Sequence, residues 1–201
     1  MIAGFFPATT MPDADWWEAL WPDPAEVLPA IGVEPGVVAV DLCCGDGLFT
    51  VPLARIAKRV YAVDIDPALL DRARARGGAA CLANCEFIEA DAMMVETVVT
   101  EPVDYIFLAN TFHGIPDQLG LARAVAALLK PKGQFGIVNW HRCPREETVI
   151  FGQPRGPKTE MRIDANEVTA IVKLAGLLLN RTVELPPFHY GVVFKRGGED
   201  E

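Results

Sequence analysis

Two acids, Asp41 and Asp64, each close a short apolar run, and two glycines, Gly45 and Gly47, lie between them. Runs this short and uniformly apolar predict strands that are buried on both faces, as in a parallel sheet. Glycines after a strand let the backbone bend tightly and let a ligand approach without meeting a Cβ. An acid about 20 residues beyond such a turn is placed to accept both hydroxyls of a ribose. The spacing therefore predicts a nucleotide-binding site.

The segment between the two acids has the pattern of a βαβ unit. A helix is predicted from Leu48 to Ala57, and Pro52 falls in or near its first turn, where a missing N–H is least costly. Further strands are predicted at 85–88, 103–110, 134–139, 180–185 and 190–195. Further helices are predicted at 67–76, where Gly77 and Gly78 end the helix, and at 117–129 and 165–175. We therefore expect an α/β fold with a doubly wound, mostly parallel sheet and helices on both faces.

The glycine spacing does not fit the dinucleotide fingerprint G-x-G-x-x-G. A start at Gly45 puts Thr50 in the place of the third glycine, and a start at Cys43 puts a cysteine in the first place. The stretch instead resembles motif I of the class I, Rossmann-like, S-adenosylmethionine (SAM)-dependent methyltransferases. Asp41, Gly45 and Gly47 match that motif, and Cys43 stands where its first glycine is usually found. We interpret the Cys43 position as one that needs a small side chain and a negative φ.

Three later stretches resemble the same family. They are VDIDP after the second strand, an acid after the third strand, and LKPKGQFGIVNW at the fifth strand. The resemblance covers residues 35–140 by motif and 164–196 by topology. It implies that Asp64 holds the ribose hydroxyls, that Ile65 packs on the adenine, and that Asp91 recognises the adenine amino group. Asp91 also fits the N-cap of a short helix, and the two roles are compatible.

The resemblance implies a seven-stranded sheet in the order 3-2-1-4-5-7-6 with an antiparallel last strand. It divides the chain into a lid or cap segment (1–35), a SAM-binding methyltransferase domain (36–196) and a flexible acidic tail (197–201). The activity it implies is SAM-dependent methyl transfer to a small-molecule acceptor by direct in-line displacement, with S-adenosylhomocysteine as the second product. Two alternatives remain open: a catalytically silent methyltransferase-like partner subunit, and an NAD-dependent oxidoreductase.

The resemblance and the strand ends together predict the site residues. The cofactor-binding residues are predicted to be Asp41, Cys43, Gly45, Gly47, Asp64, Ile65, Asp91, Ala92 and Asn110. The substrate pocket is predicted to contain Trp17, Thr111, His113, Trp140 and His141. His113 and His141 each follow a strand end, and either imidazole can take a proton near neutral pH. The alternative for both is a hydrogen-bonded loop histidine. We interpret His189 as structural, and no metal site is predicted.

Two segments flank this predicted site. Residues 1–35 contain Trp16, Trp17 and Trp21, three of the four tryptophans of the chain. These residues fit either a staple that packs the segment onto the sheet or a lid over the cofactor. Residues 140–163 form a long segment without predicted structure, which we expect to overhang the active site.

Charge and cysteine content limit the function classes. The formal net charge is −9, and no Lys or Arg precedes Arg55. This distribution argues against nucleic acid and anionic membranes as partners, and it favours a neutral or cationic small-molecule substrate. The five cysteines are predicted to be free, buried thiols of a reducing compartment. With no signal peptide or membrane span predicted, we expect a cytoplasmic protein that is a monomer or a homodimer.

Overall fold

Seven strands form the main sheet of the chain, of which this computed structural model describes residues 11–198. The strands are β1 (Val38–Leu42), β2 (Arg59–Asp64), β3 (Cys85–Glu89), β4 (Val103–Ala109), β5 (Leu129–Trp140), β8 (Leu177–Leu185) and β9 (His189–Arg196). Two short strands, β6 (Val149–Ile150) and β7 (Gln153–Pro154), form a separate hairpin. The order across the main sheet is β3-β2-β1-β4-β5-β9-β8. β1 to β5 run parallel, and β9 runs antiparallel to both of its neighbours. The predicted fold class and strand order are confirmed.

Within residues 11–198, seven α-helices flank this sheet on both faces. They are α1 (Ala14–Leu20), α2 (Pro24–Ala30), α3 (Thr50–Ile56), α4 (Pro67–Ala79), α5 (Val95–Val98), α6 (Gln118–Leu128) and α7 (Ala165–Lys173). Side chains of successive β1 residues belong to opposite core clusters. Val40 packs in the cluster that holds the buried residues of α6 and α7, whereas Ala39 packs in the one that holds those of α1 to α3. All five β1 residues are buried, as the uniformly apolar run predicted.

Helix α4 begins where the sequence indicated and ends later. The Asp66 side chain caps it by accepting the N–H groups of Ala68 and Leu69. The predicted end at Gly77 and Gly78 is wrong, because the helix continues to Ala79. A Cβ at Gly77 would lie 3.3 Å from Phe87 Cζ, so the glycine lets α4 pack closely on β3.

The described part of the predicted lid segment packs in the core of the same sheet. Trp16, Trp17 and Trp21 are all buried. The Tyr105 hydroxyl, on β4, donates a hydrogen bond of 2.6 Å to the Ile31 carbonyl after α2. These contacts fit the staple interpretation for residues 11–35. Residues 1–10 lie outside the described part, as do residues 199–201 of the predicted tail.

The segment between β5 and α7, residues 141–163, has its own structure. This segment, which we call the β5–α7 loop, contains the β6–β7 hairpin and two 3-10 turns. Arg162 is its buried centre: the guanidinium donates hydrogen bonds to the carbonyls of Pro157 and Cys143 and to the Thr148 hydroxyl. The expectation of a segment without structure is therefore wrong. One buried arginine donates hydrogen bonds to main-chain carbonyls of this segment and so stabilises its folded conformation.

Candidate active site

A cavity of about 900 Å³ opens at the carboxyl ends of β1, β2 and β4. Its size falls at the upper end of the range for small-molecule sites. Of the predicted site residues, the following line it: Asp41, Cys43, Gly45, Asp64, Ile65, Asp91, Ala92, Asn110, Trp17, Thr111, His113 and Trp140. Gly47 and His141 do not line it. The β5–α7 loop contributes to the wall, as its expected overhang of the site predicted.

The glycine turn and the acid of β2 are joined directly. The Gly45 N–H donates to one Asp64 carboxylate oxygen at 2.7 Å, and the Asp66 N–H donates to the other at 3.0 Å. Burial raises the pKa of the Asp64 carboxyl, and these hydrogen bonds oppose the rise. Asp64 thus fixes the turn, which the spacing alone did not indicate.

The backbone of the turn differs from expectation at Cys43. Its φ is +59°, not negative, so a cysteine takes the left-handed conformation that a glycine adopts without cost. Burial and the nearby Asp64 and Asp41 raise the pKa of the Cys43 thiol. Cys43 is therefore a neutral wall residue. None of the five cysteines forms a disulfide, but the prediction that they are buried is correct only for Cys44. Cys81 is exposed, and the other three are partly exposed.

Gly47 has a packing role. A Cβ at this position would lie 3.0 Å from the Ala73 Cβ on α4. The predicted contact with a ligand is not seen, because Gly47 faces α4 and not the cavity. The second motif glycine therefore permits the close approach of the turn to α4.

Asp41 is a buried acid at the base of the cavity. Its Oδ2 accepts a hydrogen bond of 2.5 Å from the Thr50 hydroxyl. Burial raises the pKa of the Asp41 carboxyl from 3.8 to about 7, against the lowering effect of that hydrogen bond. Thr50, which stands in the place of the third glycine of the dinucleotide fingerprint, is thus the hydrogen-bond partner of Asp41. The sequence did not indicate this contact.

Asp91 and Asn110 follow β3 and β4 on the same edge. The Asp91 side chain accepts the Met93 N–H at 2.9 Å and caps a 3-10 turn, so the predicted N-cap role is confirmed. Asn110 has a φ of +58°, and its side-chain oxygen and nitrogen are both buried without a hydrogen-bond partner among the described residues. A buried amide in this state needs a polar partner, and a ligand in the cavity can supply it.

The two candidate bases lie in different places. His113 lines the cavity, and its Nδ1 is 3.5 Å from Asn139 Oδ1. His141 lies outside the cavity, and its Nε2 is 2.9 Å from Glu184 Oε2 on β8. Its predicted placement in the pocket is wrong, because the chain turns away after Trp140 and directs the imidazole to the sheet edge. His189 is fully buried and contacts the rings of Trp21 and Trp140, as a structural residue does.

Several lining residues were not predicted. They include Asp13, Phe49, Arg72, Arg145, Arg155 and Lys158. The three cations at 145–158 were missed because nothing in the sequence relates them to residues 41–66. Arg162 donates to the carbonyls of Arg155 and Pro157, and such main-chain contacts have no spacing signature.

The fold and this site define a class I, Rossmann-like methyltransferase architecture, with a ligand cavity at the carboxyl edge of the switch point. A profile described as a methyltransferase domain matches residues 39–133. The ubiquinone biosynthesis O-methyltransferase of Xanthomonas campestris pv. campestris is 28% identical over 141 residues, which cover 64% of this chain and 57% of that protein. The chain therefore spans little more than half the length of the curated relative that it matches.

Solved structures agree with this assignment. A SAM-dependent methyltransferase from Aquifex aeolicus aligns with a TM-score of 0.74 and 25% identity, over 86% of this chain and 89% of that one. The N-methyltransferase NodS from Bradyrhizobium japonicum WM9, in complex with S-adenosylhomocysteine, aligns with a TM-score of 0.67 and 18% identity, over 86% and 85% of the two chains. The resemblance to the class I SAM-dependent methyltransferases is confirmed.

Among the helices of residues 11–198, none has the length and apolar composition of a membrane span. The same range holds no group of three or more His, Cys, Asp or Glu side chains that could bind a metal ion.

Proposed function

We propose that this protein is an enzyme that transfers a methyl group from SAM to a small-molecule acceptor. The observation that carries the proposal is the link between the glycine turn and Asp64, made by the 2.7 Å hydrogen bond at one end of a cavity of about 900 Å³. A carboxylate held at this edge is suited to ribose hydroxyls. The relative and the two structural neighbours named above, all three methyltransferases by name, support the activity.

The cavity fits the cofactor chemically. Asp64 and Ile65 would hold the ribose and the adenine ring, and Asp91 with Ala92 would lie at the adenine edge. Asn110 offers a buried amide donor and acceptor with no protein partner in the described chain. SAM, when bound, supplies an electrophilic methyl group, which the acceptor takes by direct in-line displacement with S-adenosylhomocysteine as the second product.

Residues of this chain would position the acceptor, exclude water from it and supply a base. The buried Trp17 and Trp140 form apolar walls that exclude water from the acceptor. We assign His113 as the base for an acceptor that arrives protonated, because it lines the cavity beside Thr111. Its Nδ1 lies 3.5 Å from the Asn139 side-chain oxygen, a group suited to orienting the ring. His141 is not proposed as a base, because it lies outside the cavity.

The alternatives have less support. An NAD-dependent oxidoreductase would need a third glycine where Thr50 bonds to Asp41. A catalytically silent domain would not need a ligand cavity of this size, nor the buried Asn110 amide that has no partner among the described residues. We further propose that the protein is cytoplasmic and is a monomer or a homodimer. We also propose that it does not act on nucleic acid, because its net charge is −9.

The test is the release of S-adenosylhomocysteine from SAM in the presence of phenols, amines and thiols, with and without carboxylate groups. Turnover above the background for any acceptor class supports the proposal, and we expect His113→Ala to reduce it where the nucleophile is protonated. Tight binding of S-adenosylhomocysteine without turnover on any of them would favour the silent domain. Binding of NADH in place of S-adenosylhomocysteine would overturn the methyltransferase proposal.

A further inference from the structure

Three cations of the β5–α7 loop form one side of the cavity: Arg145, Arg155 and Lys158. None of the three forms an ion pair with a carboxylate in residues 11–198. Arg142, in the same loop, differs, because it pairs with Glu167 at 2.7 Å and does not line the cavity. The three loop cations that line the cavity are therefore without a carboxylate partner in the described chain.

The side chain of Arg155 is held in place before any ligand arrives. Its guanidinium lies over the Trp16 ring, 5.2 Å from the ring centroid. Its Nε is buried and has no hydrogen-bond acceptor among the described residues. A buried guanidinium N–H without an acceptor is costly, and a planar guanidinium recognises carboxylate or phosphate oxygens by paired hydrogen bonds.

The main chain of this cationic group is fixed by buried hydrogen bonds. The fully buried Thr148 hydroxyl lies 2.8 Å from the Arg145 carbonyl and 2.7 Å from the Arg155 carbonyl. The Arg162 guanidinium donates to Thr148 at 2.9 Å, and the Arg145 side chain donates to the Gly156 carbonyl at 3.0 Å. The loop thus presents positive charge from a rigid frame.

Acidic and basic side chains are concentrated at different parts of the cavity. The acids Asp41 and Asp64 lie at the ends of β1 and β2. Three of the four Lys and Arg residues that line the cavity come from the loop after β5, which lies beyond β4 in the sheet, and the fourth, Arg72, is on α4. Asp13 also lines the cavity but forms no ion pair with the three cations. A cationic cofactor is favoured at the acidic end, so the positive end is left for the second ligand.

We infer that the acceptor carries an anionic carboxylate or phosphate group, which Arg155 binds with Arg145 and Lys158. This inference rests on the proposed function, and it replaces the neutral or cationic acceptor that the net charge of the whole chain suggested. The whole-chain charge misleads here because the positive charge is local to the loop. The carboxylate of the cofactor is a second group that the three cations could bind. The test below distinguishes binding of the acceptor from binding of the cofactor carboxylate.

The test is calorimetric titration of the full chain, saturated with S-adenosylhomocysteine, with benzoate, with phenyl phosphate and with neutral benzamide. We expect one or both anions to bind at least tenfold more tightly than benzamide. Arg155→Met should remove that preference, Arg155→Lys should retain part of it, and the control Arg142→Gln should leave it unchanged. None of the variants should alter the affinity for S-adenosylhomocysteine by more than about twofold.

Two results would overturn the inference. One is equal binding of the anions and benzamide by the saturated wild-type protein. The other is a tenfold or larger loss of S-adenosylhomocysteine affinity in Arg155→Met, which would assign the cations to the cofactor carboxylate. A wild-type protein that does not bind S-adenosylhomocysteine at all contradicts the proposed function, and the anion titration of that protein still reports on the cationic group. Circular dichroism and melting temperature show whether each variant is folded.

Discussion

The Asp41 carboxyl titrates near neutral pH, because burial raises its pKa to about 7. Below that pH the folded protein holds the proton, and above it the carboxylate is charged and attracts a cationic cofactor. We predict that the affinity for SAM increases by about tenfold between pH 6 and pH 8, as the ionised fraction rises. Titration calorimetry at several pH values measures this change.

The matched variant for that prediction is Asp41→Asn, which keeps the size and the hydrogen bond to Thr50. Its affinity for SAM should be weaker at pH 8 and should change less with pH than that of the wild type. An equal pH dependence in the two proteins would assign the titration to another group and refute the role of Asp41.

His189 makes stability depend on pH. Burial lowers its pKa well below the ordinary 6.5, and both ring nitrogens lack hydrogen-bond partners among the described residues. As the pH falls below 6.5, the unfolded chain binds a proton at this position and the folded chain does not, so stability is lost, by at most about 1.4 kcal/mol per pH unit. We predict that His189→Phe, measured by melting temperature from pH 5 to pH 8, gains stability relative to the wild type only in the acidic range. A constant difference across this range would contradict the prediction.

At the scale of elements, the β5–α7 loop depends on Gly156. Its φ is +83°, and a Cβ there would lie 2.9 Å from the buried Trp140 ring. Gly152 has a similar φ of +72° with nothing near its would-be Cβ. We predict that Gly156→Ala lowers the free energy of unfolding by at least about 1 kcal/mol more than Gly152→Ala, because only the former adds a clash to the backbone strain. Equal losses in urea denaturation would show that the loop does not pack as described.

Helix α2 is attached to the sheet through Tyr105, whose buried hydroxyl donates to the Ile31 carbonyl at 2.6 Å. Tyr105→Phe should lower the free energy of unfolding by about 1–2 kcal/mol, because the Ile31 carbonyl loses its hydrogen-bond donor at a site that water does not reach. Tyr61→Phe is the control: that hydroxyl bonds to Glu101, whose half-exposed side chain can bind water instead. An equal decrease in the free energy of unfolding in both variants would show that the Tyr105 hydrogen bond does not contribute more to stability than the Tyr61 hydrogen bond does.

The sequence predicted well what depends on local pattern. The apolar runs before Asp41 and Asp64 predicted two of the strands, and the resemblance of several motifs to the methyltransferase family predicted the sheet order. Gly77 was misread because a glycine that ends a helix and one that lets a helix pack on a strand look alike in sequence. Where β5 ends, the pattern placed His141 in the pocket, but the direction of the chain after a strand depends on distant packing.

For the molecule as a whole, net charge was the least informative property. The total of −9 is a sum over the surface, whereas ligand binding depends on the charges that face one cavity. Buried contacts of Thr148 and Arg162 help to bring Arg155 and Arg145 together. Such long-range contacts were beyond the reach of spacing arguments.

The affinities of the wild type, Asp64→Asn and the control Asp71→Asn for S-adenosylhomocysteine test whether Asp64 binds the cofactor. Asn at position 64 keeps one oxygen for the glycine turn but loses the charge that is suited to ribose hydroxyls, so we predict micromolar binding in the wild type and at least a tenfold loss. Asp71 is exposed on α4 and pairs only with Arg74 in the described chain, so its variant should bind like the wild type. Absence of binding in the wild type, or equal affinity in all three proteins, would contradict the proposed role of this site.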